Sequence, residues 1–387
     1  MFRGVSGNVL IFGLVSFLTD VSSEMIYPLL PLFITTVLGA GPAFLGLIEG
    51  VAESTAAFLK LGSGILSDRV RSRKGLVLGG YALSSLARPL VAAATAPSAI
   101  LAIRFADRVG KGIRTSPRDA LIADSTDPAF RGKAFGFHRA MDHAGALVGP
   151  LIATLLLAWF VKDLRTVFWL AAIPGLLAVV LIIWKVRETA RVRTGDGTFL
   201  RIVPHGDLRR FLLILFLFTL GNSSDAFLLL RAGELGVAPA RIPLLWAFFH
   251  LVKMAGSTPF GALSDRIGRR GVIVVGWGVY ALSYGGFALA ETEVACWLLF
   301  AFYGLFYAMT EGAEKALLVD IAPPRERGSA FGWYNFAVGA GALPASLLFG
   351  AVWEKAGREA AFGFGAALAA LAAVLLLSLV RVRRGNE

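Results

Sequence analysis

The sequence predicts an all-α integral membrane protein, with twelve transmembrane helices in two pseudo-symmetric bundles of six. Three observations carry that expectation. The first is composition: of 387 residues, 56% are hydrophobic and 17% charged, and the mean hydropathy is +0.70. Soluble chains carry roughly 25% charged residues, so this one has too few to cover a globular surface. Runs such as VFWLAAIPGLLAVVLIIW and AAFGFGAALAALAAVLLLSLV are long enough, as helices, to cross a hydrocarbon layer of ~30 Å. The second is the placement of charge. The formal net charge is +12, and the cations gather between apolar runs at 68–74, 185–210, 265–270 and 381–384. The alternate connections, at 161–165 and 291–293, are short and nearly balanced in sign. That alternation follows the positive-inside rule rather than a nucleic-acid-binding face. It predicts a multi-pass protein of the cytoplasmic membrane with both termini and the long middle segment in the cytoplasm. The third is an internal repeat near 200 residues. GILSDR at 64–69 answers GALSDR at 261–266, and ALIADSTDPAFRGKAFGFHRAMDHAGAL at 120–147 answers ALLVDIAPPRERGSAFGWYNFAVGAGAL at offset 196. DVSSE at 20–24 answers GNSSD at offset 201.

Taken in order, the predicted helices cover 8–37, 43–67, 74–96, 98–124, 131–160 and 165–186. The first lacks a small-residue cleavage signature and is expected to be retained as a span. The second ends on the basic loop at 68–74, the fourth carries a dense set of charges, and the sixth is an uninterrupted apolar run. The repeat then places helices at 209–234, 240–264, 270–290, 294–321, 327–356 and 358–381. The domains are therefore 1–186, a polar cytoplasmic linker at 187–208, and 209–387. Parallel repeats of this kind form transporters, with the solute site near the membrane midplane. Cys296 is the one cysteine, which excludes an internal disulfide and a cysteine-based zinc site. Four histidines without metal-ligand spacing, and no H-E-x-x-H or G-x-S-x-G run, argue against a metal, a cofactor and an enzyme.

Three motifs give the chain a family resemblance. GALSDRIGRR at 261–270 fits G-x-L-x-D-R-x-G-R-R, and GILSDRVRSRK at 64–74 keeps Gly64, Leu66, Asp68 and Arg69 but lacks the later glycine and runs about one residue longer. Arg104, Gly110 and Gly112 follow R-x-x-x-G-x-G-x-G, with Arg108 in place of the first glycine. Gly136, Gly145, Gly149 and Pro150 fit G-x8-G-x3-G-P, after which Ala153 and Thr154 replace a glycine pair. In these features the chain resembles the major facilitator superfamily of secondary transporters, and among them the drug/proton antiporters. The resemblance implies gating loops at Asp68, Arg69, Asp265 and Arg266 that latch helices through charge-assisted hydrogen bonds. It implies a central cavity lined by helices 1, 4, 7 and 10, and an acid in helix 1 that exchanges a proton. From the helix 5 spacing it implies an exporter or antiporter working as a monomer in the lipid bilayer. Gly145, Gly149 and Pro150 are expected to act as a packing or hinge element.

The stretch RFADRVGKGIRTSPRD at 104–119 is the densest charge in the chain. It lacks the phosphate-loop order, because no Ser or Thr follows the lysine of GKG. Arg104, Arg108, Lys111, Arg114 and Arg118 recur at spacings of 4, 3, 3 and 4, which is one stripe of a helix. Arginines at membrane depth face a cavity or a partner rather than lipid. Substrate-cavity candidates are therefore Arg104, Arg108, Lys111 and Arg114, joined by Glu311 and Tyr307 of helix 10. Residues at equal depth on adjacent helices suggest the ion pairs Asp20–Lys60, Arg114–Asp142 and Asp225–Lys253, and set Arg118 level with His138. Asp20, Glu24 and Asp225 are the proton-coupling candidates; Glu49 and Glu53 are expected at the outer rim of helix 2. The composite expectation is a proton-coupled transporter of a small molecule, most simply an exporter. The basic stripe alternatively suits an organic or phosphorylated anion, and a non-transporting receptor or assembly subunit is the reading from another class.

Overall fold

A computed structural model of the chain describes residues 6–39, 42–70, 72–161, 163–189, 203–238 and 241–380. Most of the 187–208 linker, the basic run 381–384, and the side chains of Glu49 and Glu53 lie outside the described residues. Among the described residues every ordered element is helical. The helical segments are α1 (Gly7–Leu32), α2 (Pro42–Arg69), α3 (Arg73–Ala93), α4 (Pro97–Asp124), α5 (Pro128–Trp159) and α6 (Leu164–Lys185). They continue as α7 (Gly206–Glu234), α8 (Ile242–Ile267), α9 (Arg269–Leu289), α10 (Glu293–Ile321), α11 (Pro324–Ala356) and α12 (Arg358–Leu379). Nine of these, among the described residues, are long and apolar enough to cross a bilayer. The more polar α2, α4 and α8 carry much of the charge that concerns function. Trp159, Phe160 and Trp184, at the ends of α5 and α6, are each more than three-quarters exposed, as expected for aromatic side chains at a membrane–water boundary.

Local chemistry sets the irregular points. Pro28 and Pro31 supply no N–H, so α1 tightens beyond Glu24 into a 3-10 turn at Tyr27–Leu29. Pro89 does the same to α3, whose last turns, Arg88–Ala93, are 3-10. α7 is broken between Gly221 and Asp225, where the Ser224 hydroxyl caps the second piece by accepting from the Ala226 N–H at 3.3 Å. Between α8 and α9 the chain turns on Gly268 at φ +100°, a conformation that side chains resist. The repeat-equivalent turn before α3 uses Ser72 instead, whose hydroxyl accepts from the Gly75 N–H at 3.3 Å. Ahead of α6, Asp163 accepts from the Thr166 hydroxyl at 2.7 Å and its N–H at 2.9 Å. Those two bonds hold its exposed carboxyl below the usual value, so this cap persists at neutral pH and is lost only as acid protonates it.

The chain forms two compact units. The first holds Met1–Thr126, Met141–Ile202 and Arg325–Asn335; the second holds Asp127–Ala140, Val203–Pro324 and Phe336–Glu387. Each unit also holds the opening turns of one helix from the other half of the sequence. In the first unit α4 lies along α2 and α3, and α6 along α1 and α3. In the second, α10 lies along α8 and α9, and α12 along α7 and α9. The same neighbours recur under the repeat, which is the structural counterpart of the sequence duplication.

The glycines of α5 set how closely it meets α1. A Cβ on Gly145 would stand 2.6 Å from the Phe17 carbonyl oxygen and 2.8 Å from the Asp20 Cβ. One on Gly149 would stand 2.7 Å from the Glu24 Cβ. The backbone of α5 is therefore in contact with the face of α1 that bears both acids. Gly145→Leu should lower stability by about 1–3 kcal/mol through overpacking. Gly79→Ala, where an added Cβ meets nothing within 4 Å, should leave it unchanged; thermal unfolding of the detergent-purified protein checks both.

Candidate functional site

In the first unit the basic stripe runs along α4 as the spacing predicts. Arg104, Arg108, Arg114 and Arg118 are buried and Lys111 is half-buried. The residue that organises them is Asp107, 1% exposed, one turn beyond Arg104. It accepts from Arg88 Nε at 2.8 Å and from the Tyr27 hydroxyl, and Arg104 Nη1 stands 4.0 Å away. Arg88 also donates to the Thr19 carbonyl at 2.9 Å, which ties α3 to α1. The Tyr27 ring receives two cations on its π system, with Arg104 Cζ 4.1 Å and Arg108 Cζ 5.7 Å from its centroid. The proline-tightened turns of α1 and α3 are what present Tyr27 and Arg88 here.

Further along α4, Arg118 donates to Asp119 Oδ1 from Nε at 3.0 Å and from Nη2 at 2.9 Å, and to the Tyr81 hydroxyl from Nη1 at 3.3 Å. Arg114 lies over the same ring, 4.2 Å from its centroid. Asp20 and Glu24 on α1 are both half-buried. The charges that bear most on Asp20 are Asp142, Glu24, Lys111 and Arg114, and those on Glu24 are Lys111, Arg88, Arg108 and Arg104.

Two level pairings are corrected by these contacts. Asp142 accepts a hydrogen bond from Ser16, and Arg114 is held by Tyr81. Arg118 takes Asp119 and Tyr81, not His138. The physical reason is common to both: equal depth on consecutive helices selects the facing residue only if those helices turn those faces to one another. Here α4 turns its charged side to α1 and α3.

In the second unit, Asp225 stands at the start of the second piece of α7 and accepts from the Tyr303 hydroxyl at 2.6 Å. That hydroxyl is 3.2 Å from the hydroxyl of Tyr307. Lys253 of α8 is the cation that bears on Asp225, and Glu311 is the nearby acid. The Lys253 Nζ lies 3.9 Å from the Tyr307 ring centroid and 4.7 Å from that of Phe249. The structure thus gathers Asp225, Lys253, Tyr307 and Glu311 in one neighbourhood.

The loop aspartates cap helices. Asp68 accepts from the N–H groups of Gly328 at 2.9 Å and Ser329 at 2.6 Å, at the N-terminus of the α-helical part of α11. Asp265 accepts from those of Gly132 and Lys133, both at 2.8 Å, at the equivalent point of α5. A carboxylate there meets both the unsatisfied N–H groups and the positive end of the helix dipole. The arginines differ from expectation. Arg69 and Arg266 are exposed; the cations engaged are Arg73, which donates to Asp68 at 2.7 Å, and Arg269, which donates to Asp265 at 3.3 Å. Arg73 and Arg327 also enclose Asp124, as Arg269 and Arg131 enclose Asp320. One residue beyond a helical aspartate, a side chain projects about 100° away, so only after the chain turns does a cation return. Among the described residues no group of three or more His, Cys, Asp or Glu side chains is placed to hold a metal.

The Major Facilitator Superfamily model matches residues 12–229 and 211–387, which together span nearly the whole chain. The chain belongs to the major facilitator superfamily. An uncharacterized MFS-type transporter of Methanocaldococcus jannaschii is 37% identical over 384 residues, 97% of this chain and 95% of the relative. Multidrug resistance protein MdtH of Proteus mirabilis is 24% identical over 324 residues, 82% of this chain and 80% of that protein. Among solved structures, the human organic anion transporter MFSD10 aligns with a TM-score of 0.80 at 18% identity, covering 96% of this chain and 99% of that one. The proton:xylose symporter XylE aligns with a TM-score of 0.78 at 16% identity, covering 98% and 96%. The fold is theirs, and the protein is a multi-pass membrane transporter for small molecules rather than an enzyme.

Asp107 and Arg88 are site residues of this major facilitator protein that sequence reasoning passed over. Each left a signal: Asp107 is an acid inside the basic stripe, and Arg88 is a lone arginine in an apolar run just before a proline. The exchange of roles between neighbouring arginines gives a direct check. Arg73→Gln removes the partner of two carboxylates and should lower stability by about 3–5 kcal/mol. Arg69→Gln, one helix position from Asp68, should change it by less than about 0.5 kcal/mol; denaturation of the two purified variants side by side decides.

Proposed function

We propose that the protein is a proton-coupled secondary transporter that moves a small organic solute across the cytoplasmic membrane by alternating access. In this reading Asp20 and Glu24 carry the exchanged proton in the first unit and Asp225 takes the equivalent place in the second. The observation that carries it is the state of the helix 1 acids. Both are half-buried on a spanning helix and faced by cations of α4, and Asp20 is in addition crowded by Glu24 and by a third carboxylate at Asp142. A charged side chain that keeps exposure within a membrane span faces a water-filled path rather than acyl chains. Closely spaced carboxylates relieve their repulsion by sharing a proton. Asp225 falls at the repeat position of Glu24 and, like it, has one lysine bearing on it, to which it adds a hydrogen bond from the Tyr303 hydroxyl. Substrate-cavity residues on this reading are Arg104, Arg108, Lys111 and Arg114 of the first unit and Tyr307 and Glu311 of the second. Asp68 and Asp265 serve as releasable helix caps during the cycle.

Outward movement is the second reading, favoured by the relatives named multidrug resistance proteins. The glycine spacing of α5 adds less to it, because Gly145 and Gly149 are accounted for by contact with α1 and Gly136 by contact with Ser257 and Gly261 of α8. Reconstituted into proteoliposomes, the protein should move protons in response to a solute gradient. Asp20→Asn with Glu24→Gln should cut that signal at least about tenfold while the protein stays folded. Proton movement retained in the double variant would remove the acids of α1 from coupling, and no flux of any kind would favour the receptor reading.

A further inference from the structure

We propose that Arg114 anchors the anionic head of the transported solute, with Asp20 as the internal counter-ion that this head displaces. The solute class is then an organic carboxylate, sulfonate or phosphate monoester, and solute and proton bind together rather than in competition. This builds on the proton-coupled reading above and specifies its substrate and the sign of its coupling.

Arg114 differs from the other buried arginines of its unit that have a resolved partner. Arg88 holds Asp107, and Arg118 holds Asp119. Arg114 is 5% exposed, forms no salt bridge among the described residues, and has no hydrogen-bond partner among them at Nε or Nη1. Its one resolved contact is the Tyr81 ring at 4.2 Å, which leaves the edge of the guanidinium for other oxygens. Its charged neighbours are Arg88, Arg118 and Asp107, and Asp107 already serves Arg88 and Tyr27. A buried guanidinium with unused donors is costly to retain. Its planar fork matches the paired oxygens of carboxylate, sulfonate or phosphate.

Asp20 is a second carboxylate, besides Asp107, on whose charge Arg114 bears. Facing it are Glu24 from its own helix, Lys111 and Arg114 from α4, Asp142 from α5 and Arg88 from α3. α6 meets α1 through Ala171 and Gly175, and its ionisable residues Arg165 and Lys185 lie near its two ends. An ionised Asp20 offsets Arg114 across space without bonding to it. A proton on Asp20 withdraws that offset, and an anion at Arg114 restores it. By linkage each event favours the other, so proton and anion travel in the same direction. A cationic solute would instead replace the proton.

The test uses full-length protein in nanodiscs and four probes sharing one ring: benzoate, benzenesulfonate, phenyl phosphate and, as the cation, phenyltrimethylammonium. At least one anion should bind, measured by thermal shift or calorimetry, and the cation should not. Benzenesulfonate stays ionised throughout, so its pH profile reports the protein. It should bind about tenfold tighter near about pH 5.5 than near about pH 8. Asp20→Asn should flatten the profile at the tighter level. Arg114→Gln should weaken binding about tenfold or more, with partial recovery in Arg114→Lys. If Arg114→Gln does not fold, Arg114→Lys alone must bind more weakly than the parent. Binding of the cation alone, binding of none of the four, anion binding indifferent to Arg114, or a pH profile kept in Asp20→Asn overturns the proposal. Anion binding without proton movement in vesicles would sink the transport reading and leave this site standing. Proton movement without anion binding would do the reverse.

Discussion

Charge compensation inside an apolar medium is the constraint on which the rest of this structure depends. In the first unit six cations, Arg88, Arg104, Arg108, Lys111, Arg114 and Arg118, meet five carboxylates, Asp20, Glu24, Asp107, Asp119 and Asp142. Removing one member of a buried pair leaves several kcal/mol uncompensated, so the helices that bring these groups together are fixed to one another by them. Asp107 shows how. Its two main donors come from α1 and α3, and each is delivered by a turn that a proline has pulled out of α-helical geometry. A defect in backbone regularity on two helices thus becomes an anchoring point for a third.

The helix termini obey the same rule by other means. α5 and α11 begin with N–H groups that have no partner of their own, and in both cases the partner is an aspartate from the last turn of another helix, α8 or α2. The cap carries a full charge, so it in turn requires a cation, and Arg73 and Arg269 supply it. A second acid, Asp124 or Asp320, then engages that cation. Each step satisfies one group and obliges the next. The six-residue match of GILSDR at 64–69 with GALSDR at 261–266 is the part of this chain of obligations that is local in sequence.

What was legible in the sequence follows the same line between local and distant. Helix count, the duplication and the α4 stripe are periodic features, carried by spacings of 3.6 residues or of about 200, and both spacings survive folding unchanged. The membership of the site is different. Asp107 turns toward Arg88 and Tyr27, and nothing in the spacing of α4 names the helices on that side. Equal depth gave Asp142 as the partner of Arg114 because it assumes that chain neighbours face one another. In this unit α4 packs along α2 and α3, and α1 contributes its acids from a further side. Arg69 and Arg73 make the same point at shorter range. Adjacency in sequence to Asp68 counted for less than the direction of one helix position.

The repeat also shows which property of the buried pair on α4 and α10 is under constraint. At offset 196, Arg118–Asp119 becomes Glu314–Lys315, so the order of signs is reversed. The aromatic residue facing the first member changes as well, from Tyr81 to Trp277 at the same offset. The two changes belong together. Arg118 has only hydrogens to offer, and the Tyr81 hydroxyl oxygen accepts one. Glu314 has only lone pairs, and the Trp277 indole, which can only donate, supplies the hydrogen at 3.1 Å. A tyrosine could serve either sign, whereas tryptophan serves only the acid. The scaffold therefore tolerates either polarity of charge at this depth, provided that the neighbouring ring is matched to it. One duplicated frame can in this way hold a basic face in its first unit and an acid, Lys253 and tyrosine hydroxyls in its second.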